Sequence, residues 1–320
     1  MLYSFVKIIA RLALPIYCRD IAINKKELLK HKWPLLLAVN HPNSFLDAII
    51  LCTLFNETVY SLARGDAFKN KFGAKCLSLL KIFPVYRVSE GVENLGENYK
   101  TFDLCKNIFK KNGIVLIFSE GRCINEWHLR PLKKGTARLA ISSWEDGIDL
   151  KVLPISINYS SFTKMGKNIK LFFGEPISKE NIDYTDSHGN AIRQFNENLK
   201  QQLSKNIFEI DTNDKLTLHQ KFFISQAPLK KCILFIPSIV GAILHAPLYY
   251  FIKWLTDTLI KESGHDDSKV IGFLFVLYPL FLLALALIIF YITNNRLWFL
   301  ILLILPFTAW SFVQLKKQLD

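Results

Sequence analysis

Two long apolar segments near the C-terminus constrain this chain more than any other feature of its sequence. Val270 to Asn295 contains no charged side chain, Leu297 to Leu315 contains none either, and only Arg296 separates them. Each segment exceeds the ~18 residues expected of a membrane-spanning helix. Because a backbone in hydrocarbon must satisfy its own hydrogen bonds, the two segments predict a helical hairpin, with spans at about 270–292 and 297–315.

A third apolar run, Cys232 to Ile252, is interrupted by Pro237, Gly241 and Pro247. Spans tolerate helix breakers, but interfacial segments carry them as well, so the run is either an interfacial segment or a third span. If it is interfacial, both outer ends of the hairpin lie beside the rest of the chain. The positive-inside rule then predicts a multi-pass protein whose globular part faces the cytoplasm.

The charge of the chain is concentrated in front of these apolar segments. Of 40 basic and 27 acidic side chains, 7 and 5 lie from Lys231 onward, which leaves 33 and 22 in the first 230 residues. A chain with 51% hydrophobic residues is not disordered. A basic globular part attracts anionic lipid or phosphorylated substrates. Nucleic acid is not an expected partner, because no recognisable module combines clustered Lys and Arg with stacking aromatics.

The N-terminal residues 1–29 are predicted to form a membrane-associated helix. Lys7 and Arg11 share one helical face, and the opposite face is apolar, with Phe5, Ile8, Ile9 and Leu12. This pattern is typical of a helix that lies on a membrane surface, and equally of one that packs on a protein core.

Residues 30–208 alternate between strand-like and helix-like patterns. The predicted strands are 34–39, 58–63, 114–118, 152–158 and 169–173. The predicted helices are 45–54, 71–80, 93–110, 136–144 and 190–204. Such alternation predicts an α/β domain with a mixed, largely parallel sheet flanked by helices. Residues 209–231 then form a linker to a C-terminal membrane region, 232–320.

Functional groups in such sheets tend to follow the carboxyl ends of strands, and the first strand is followed by His41. Pro42 keeps His41 out of helical geometry, and Ser44 is expected to cap the next helix. Asp47 then falls in the first helical turn and can fold back toward the imidazole. A carboxylate there fixes the ring tautomer and stabilises the cation formed when His41 takes a proton from an alcohol.

Three further stretches contain either candidate ligand-binding side chains or residues that interrupt a strand. Ser119-Glu120-Gly121-Arg122 follows a predicted strand, where glycine permits a tight turn and arginine offers a planar fork for phosphate. Phe83 to Arg87 is a short extended run that ends in another arginine. Val152 to Ile157 is an apolar strand in which Pro154 marks an edge or a bulge.

Taken in order, these blocks resemble the glycerolipid acyltransferase superfamily, which includes lysophosphatidate and glycerol-3-phosphate acyltransferases; the similarity covers residues 30–208. It implies that a fatty acyl group passes from a thioester to a hydroxyl of a lipid precursor, with His41 as base and Asp47 as its orienting partner. It also implies that the acceptor is bound, through its phosphate, by Arg87, Ser119, Glu120, Gly121 and Arg122. Phe173 to Ile177 is similar to a stretch that commonly follows the last block.

The sequence departs from the commonest family pattern twice. Five residues rather than four separate His41 from Asp47, and Arg122 directly follows Gly121. The second departure leaves the acceptor head group open: glycerol 3-phosphate, 1-acylglycerol 3-phosphate, another lysolipid or an amino-acid lipid. A non-catalytic phospholipid-binding protein is the alternative from another class.

The expected partners are membrane lipids, a glycerol phosphate-type acceptor and an acyl thioester, either acyl-CoA or acyl carrier protein, as co-substrate. No other cofactor is expected. No metal is expected either, because the six cysteines form no C-x-x-C pair and H-E-x-x-H does not occur. The absence of a G-x-S-x-G elbow argues against a serine hydrolase.

Overall fold

The computed structural model describes residues 2–30, 33–86, 96–183, 187–259 and 266–319. Within them lies a sheet of seven strands in the order β1-β7-β6-β2-β5-β3-β4. The strands are β1 Cys18–Ile23, β2 Leu35–Val39, β3 Val59–Arg64, β4 Ile82–Val85, β5 Ile114–Phe118, β6 Lys151–Tyr159 and β7 Lys167–Phe173. The neighbours β6 and β7 are antiparallel, and the other neighbouring pairs are parallel. The predicted fold class is confirmed.

Helices cover both faces of this sheet. In the front part of the chain they are α1 Leu2–Tyr17, α2 Ser44–Leu54, α3 Lys71–Leu79, α4 Glu97–Phe109, α5 Lys134–Glu145, α6 His188–Ser204 and α7 Lys215–Phe222. Alternate residues of β2 enter two cores: Leu35 and Leu37 pack on the side of α1 and α2, and Leu36 packs on the side of α4, α5 and α6. Burial on both faces explains why β2 is apolar throughout.

Two strands and one helix lie where the sequence pattern is weak. β1 carries Arg19 and Asp20 and forms an edge of the sheet, parallel to β7. β4 has only four residues. Helix α7 lies inside the segment predicted as a linker.

Pro154 lies within β6, which has a neighbour on each side, so the edge alternative is wrong. The β6–β7 ladder begins at the pair Ile155 and Phe173, and an isolated bridge joins Val152 to Ile177. The register changes by one residue between these two pairs. Pro154 therefore lies at a bulge, where its missing N–H costs no ladder bond.

The C-terminal part contains α8 Pro228–Leu259, α9 Asp266–Thr293, a 3-10 turn at Arg296–Leu300 and α10 Ile301–Leu315. By length and composition, three helical segments in the described residues could cross a membrane, those beginning at Pro228, Asp267 and Arg296. The run with Pro237 and Pro247 is helical throughout, and each proline is a position at which a helix bends. At Gly241, α8 approaches α10 so closely that a Cβ would lie 2.1 Å from the Thr308 carbonyl oxygen.

The end of α10 is bound to the sheet through Arg19 of β1. Its buried guanidinium donates to the carbonyl oxygens of Val313 at 3.1 Å and Gln314 at 3.2 Å, and also to that of Lys316. Gln314 Nε2 donates in return to the Arg19 carbonyl at 3.1 Å. A cation thus satisfies the carbonyl groups that a helix leaves free at its C-terminus.

Helix α1 points its basic face inward. Lys7 Nζ donates to the carbonyl oxygens of Asn56 at 3.0 Å and Glu57 at 2.6 Å, and Arg11 Nε donates to that of Thr53 at 2.7 Å, all at the end of α2. The apolar face points away from the protein, with Leu2, Phe5, Ile8 and Leu12 exposed. Leu14 and Tyr17, near the end of the same helix, are buried in the core. The exposed residues are those that a helix on a membrane surface would present to lipid, and that interpretation stays a prediction.

Candidate active site

The candidate site lies where the parallel strands β2, β3 and β5 end together. His41 follows β2, Arg64 ends β3, and Ser119 begins the turn after β5. These residues line one cleft of about 1770 Å³. The topology therefore gathers residues that are far apart in sequence at one edge of the sheet.

His41 and Asp47 are at hydrogen-bond distance, with 2.9 Å between His41 Nδ1 and Asp47 Oδ2. The buried Asp47 carboxylate also accepts from the Asn43 backbone N–H at 2.8 Å and from the Tyr159 hydroxyl at 2.6 Å. Burial, and then the Asp47 charge, raise the pKa of Tyr159 well above its usual value, so the phenol stays a donor. Because Asp47 accepts from both donors and faces the imidazole, it favours a proton on Nδ1.

The imidazole of His41 is held face to face with Phe118, with ring centroids 3.7 Å apart and planes inclined by 13°. Its side chain is 18% exposed and lines the cleft. With Nδ1 bonded to Asp47, Nε2 is the nitrogen left to accept a proton from a bound hydroxyl.

The loop between the pair differs from the expected geometry at one residue. Ser44 does not cap α2; it is the first helical residue, with a left-handed φ of 47°, and the cap position is Asn43. No side-chain bond caps the helix there. Instead, the Asp47 carboxylate accepts a hydrogen bond from the Asn43 N–H. A carboxylate is a stronger hydrogen-bond acceptor than the hydroxyl of a serine cap. The left-handed turn accommodates the extra residue between His41 and Asp47.

Glu120 holds the backbone at the site. Its Oε2 accepts from the His41 N–H at 2.9 Å, and its Oε1 accepts from the Arg130 N–H at 3.0 Å. Burial raises the pKa of Glu120, and these two bonds counteract the rise. The family resemblance implies that Glu120 belongs to the acceptor site; in the structure, both of its carboxylate oxygens accept from backbone N–H groups. The side chain thereby ties the end of β5 to the end of β2.

The other residues predicted for the acceptor site differ in burial and in their contacts. Ser119 is buried, accepts from the Thr136 hydroxyl at 3.0 Å and, through its carbonyl, from the Lys133 N–H at 2.7 Å. Gly121 has a φ of +67°, and a Cβ there would lie 2.9 Å from Lys133 Cγ, so glycine suits this turn. Arg122 is exposed and lines the cleft. Arg87 lies outside the described residues.

Six Lys and Arg residues that the sequence interpretation missed line the same cleft, and three of them pair with acids: Arg64 with Asp66, Lys106 with Asp146 and Arg130 with Glu126. The other three are Lys133, Lys134 and Arg138. All three are exposed, and neither they nor Arg122 form an ion pair within the described residues. A signal was present in the sequence, because Lys134 begins α5, where the helix dipole disfavours a cation. Cations placed against the dipole indicate an anionic ligand.

The cleft is also lined by apolar side chains. Its lining includes Leu62, Leu77, Val85, Phe102 and Ile117. One cleft therefore offers an apolar wall, a cluster of cations and the His41 imidazole. Within the described residues, no group of three or more His, Cys, Asp or Glu side chains is arranged to hold a metal ion.

The fold and the site define an α/β domain with a His–Asp pair at the mouth of a basic cleft. Residues 20–158 match the family described as Acyltransferase, so the predicted resemblance is confirmed for this segment. This segment is an acyltransferase domain, and the protein is an acyltransferase enzyme.

Comparison with curated proteins found no match. Among solved structures, the 1-acyl-sn-glycerophosphate (LPA) acyltransferase PlsC from Thermotoga maritima is similar, at 14% sequence identity and a TM-score of 0.46. The alignment covers 65% of this chain and 81% of that one. At that identity and TM-score, the likeness carries no inference about the substrate.

Proposed function

We propose that this enzyme transfers a fatty acyl group from an acyl thioester to a hydroxyl of glycerol 3-phosphate or 1-acylglycerol 3-phosphate, in phospholipid biosynthesis. One observation carries the proposal: the His41–Asp47 pair, 2.9 Å apart, opens into a cleft that also holds four cations without ion pairs among the described residues. A hydroxyl acceptor needs the base, and a phosphate on that acceptor needs the cations.

In the proposed reaction, His41 Nε2 takes the proton of the acceptor hydroxyl as its oxygen attacks the thioester carbonyl carbon. The carbon–sulfur bond breaks, and the departing thiolate receives the proton from the imidazolium. An ester and a free thiol result, and the chain forms no covalent intermediate. Asp47 stabilises the imidazolium while it exists, and Glu120 and Phe118 keep the ring in place.

The cleft lining indicates which residues would bind each part of the substrates. Arg122, Lys133, Lys134 and Arg138 would bind the acceptor phosphate, and the apolar wall would bind an acyl chain. The donor is acyl-CoA or acyl carrier protein, as the family resemblance implies. We assign the domain to the cytoplasmic face of a membrane, where the basic surface attracts anionic lipid.

The catalytic assignment is tested with purified full-length protein, a labelled acyl thioester and a panel of acceptors. We expect His41→Ala and Asp47→Ala to lower kcat by ~10²–10⁴-fold, the usual contribution of a positioned base. His219→Ala, at an exposed histidine outside the cleft, should keep wild-type kcat. Full activity in folded His41→Ala protein would contradict the mechanism.

The acceptor assignment needs a donor without phosphate, and a fatty acyl pantetheine thioester serves. With it, Lys133→Met/Lys134→Met should raise KM for the phosphorylated acceptor by ~10–100-fold, since a hydrogen bond to a charged group contributes ~1.5–3 kcal/mol. The control is Lys110→Met/Lys111→Met, a lysine pair at the end of α4 that does not line the cleft. An unchanged KM, or preference for a lysolipid without an exposed phosphate, would contradict the assignment.

A further inference from the structure

A buried polar cluster joins the candidate catalytic loop to the first turn of the membrane helix α9. Asp267, at the start of α9, is almost fully buried and forms an ion pair with Lys167 of β7, which is also buried. The Tyr17 hydroxyl donates to the same carboxylate. Asn43 Nδ2 donates to Asp267 Oδ2 at 2.9 Å.

Asn43 connects this cluster to the catalytic pair. Its side chain binds Asp267, and its backbone N–H binds the Asp47 carboxylate at 2.8 Å. Asp47 in turn binds the His41 imidazole. One residue of the loop therefore contacts both carboxylates, and 224 positions separate it from Asp267 in the sequence.

The next residue of α9 holds the loop on both sides of its strained position. The Ser268 hydroxyl accepts from the Phe45 N–H at 3.1 Å and lies 3.4 Å from the Asn43 carbonyl oxygen, to which it donates. Ser44, between them, has the left-handed φ of 47°. A non-glycine residue keeps such a conformation where its surroundings impose it, and here the first turn of α9 does so.

Stability alone is a poor reason for this cluster. Removing two charges from water is costly, and apolar residues of similar size in place of a buried ion pair are often neutral or stabilising. A core position between β7 and a membrane helix could hold Met and Leu instead. What apolar residues could not provide is the acceptor that orients the Asn43 amide.

We infer that the first turn of α9 is part of the active site, with Asp267 as a positioning residue that acts on His41 through Asn43 and Asp47. The membrane region is then more than an anchor, because one of its helices sets the geometry of the candidate catalytic pair. The inference rests on the proposed function for its kinetic test alone; a second measurement is independent of acyl transfer.

The main variant is Tyr17→Phe/Lys167→Met/Asp267→Leu in full-length protein, which removes the ion pair without leaving a buried charge or an unpaired phenol. Its thermal unfolding midpoint should not fall. Its kcat should fall by ~10–100-fold, because misplacement of catalytic groups by about 1 Å has effects of that size, while KM for the acyl thioester stays within about twofold. Lys25→Met/Glu175→Leu removes a surface ion pair instead and should keep wild-type kcat.

Amide hydrogen exchange supplies the independent measurement. In the main variant, peptides covering residues 41–47 should exchange on the order of tenfold faster than in the wild type, and in the surface control they should not. Asn43→Ala should lower kcat in the wild type and have little further effect in the main variant, since both changes break one connection. A purely structural role for the cluster would leave the two effects additive.

Ser268→Ala serves if the main variant does not fold, because it removes a single hydroxyl at the surface of the same turn; it should raise exchange in 41–47 and lower kcat by a smaller factor. Wild-type exchange in 41–47 in a folded variant would overturn the inference whether or not the protein transfers acyl groups. If the wild type acylates no acceptor, the proposed function fails by itself, and the exchange data still decide the role of α9.

Discussion

At the scale of single residues, Ser44 combines an unfavourable backbone conformation with a place between His41 and Asp47. Its φ of 47° costs an L-residue ~1–2 kcal/mol and costs glycine almost nothing. Glycine also loses more conformational entropy on folding, by ~0.5–1 kcal/mol. We therefore expect Ser44→Gly to raise the free energy of unfolding by up to about 1 kcal/mol.

The check is denaturant or thermal unfolding of the full-length protein in detergent. Ser44→Ala is the matched control, because it removes the same hydroxyl and keeps the strain; it should not be stabilised. Lower stability of Ser44→Gly than of Ser44→Ala would mean that strain at this position is small or that the hydroxyl contributes more than the backbone.

Residue by residue, the sequence predicted what is local and missed what is distant. His41 and Asp47 are six positions apart, so a strand, a turn and the start of a helix were enough to predict that the two side chains meet. Tyr159 and Asp267 contact the same loop from 112 and 224 positions away. No local pattern announces such contacts, because they depend on how β6 and α9 are placed by the whole fold.

At the scale of elements, we predict that α1 lies on the membrane surface. Its Lys7 and Arg11 bind carbonyl groups at the end of α2, and its apolar face is left exposed. A cysteine-free variant carrying Ile8→Cys and a fluorescent label tests this in lipid nanodiscs. We expect brominated lipid to quench the label strongly, because apolar residues of such a helix insert ~5–10 Å below the headgroups.

The same label at Asn213→Cys is the control, since this residue is exposed in the loop before α7. It should be quenched by aqueous iodide and not by brominated lipid. If the label at position 8 behaves like the one at position 213, α1 does not lie in the membrane.

Elements with a strong period were predicted and those without one were not. The strand before His41 and the helix after it differ from the structure by one residue at their starts, because Leu35–Val39 is apolar and a turn follows it. β1 has charges at consecutive positions and joins the sheet through β7, so its sequence has no strand period to read. The sequence of α1 shows that it has a basic and an apolar face. Which face contacts the protein depends on the carbonyl groups at the end of α2, and these cannot be read from the sequence of α1.

At the scale of the whole molecule, the path of α8 decides how many times the chain crosses the membrane. Its start is held beside the end of α10, where Lys230 Nζ donates to Gln314 Oε1 at 2.7 Å. Toward its other end, Ile252 and Thr256 are buried, so the second half of α8 also packs on the protein.

The short connection between α8 and α9 also indicates that both ends of α8 lie on the same side of the membrane. Six residues, 260–265, join α8 to α9, whose first turn contacts the catalytic loop. Seven steps of chain extend ~25 Å at most, which is less than the ~30 Å of a hydrocarbon core. We therefore predict that α8 enters and leaves the membrane on the catalytic side, and that only the α9–α10 hairpin crosses.

Single cysteines in a cysteine-free background test this topology in sealed vesicles with an impermeant maleimide. Thr258→Cys, near the end of α8, should react from the same side as Asn213→Cys of the catalytic domain, and Asn294→Cys, at the tip of the hairpin, from the opposite side. Reaction of position 258 from the side opposite position 213, with position 294 on the side of position 213, would mean that α8 spans the membrane.

The Arg19 contacts also determine the order in which the chain can fold. β1 is made first but pairs with β7, about 150 positions later, and Arg19 meets its carbonyl partners 294 to 297 positions later, at the end of α10. A nascent chain must therefore keep β1 unpaired until β7 has emerged, and Arg19 without these carbonyl partners until the end of α10 has been made. Contacts of such long range form slowly, and the waiting strand is an open sheet edge. Chains that stop short of α10 should thus be recognised and degraded as incomplete.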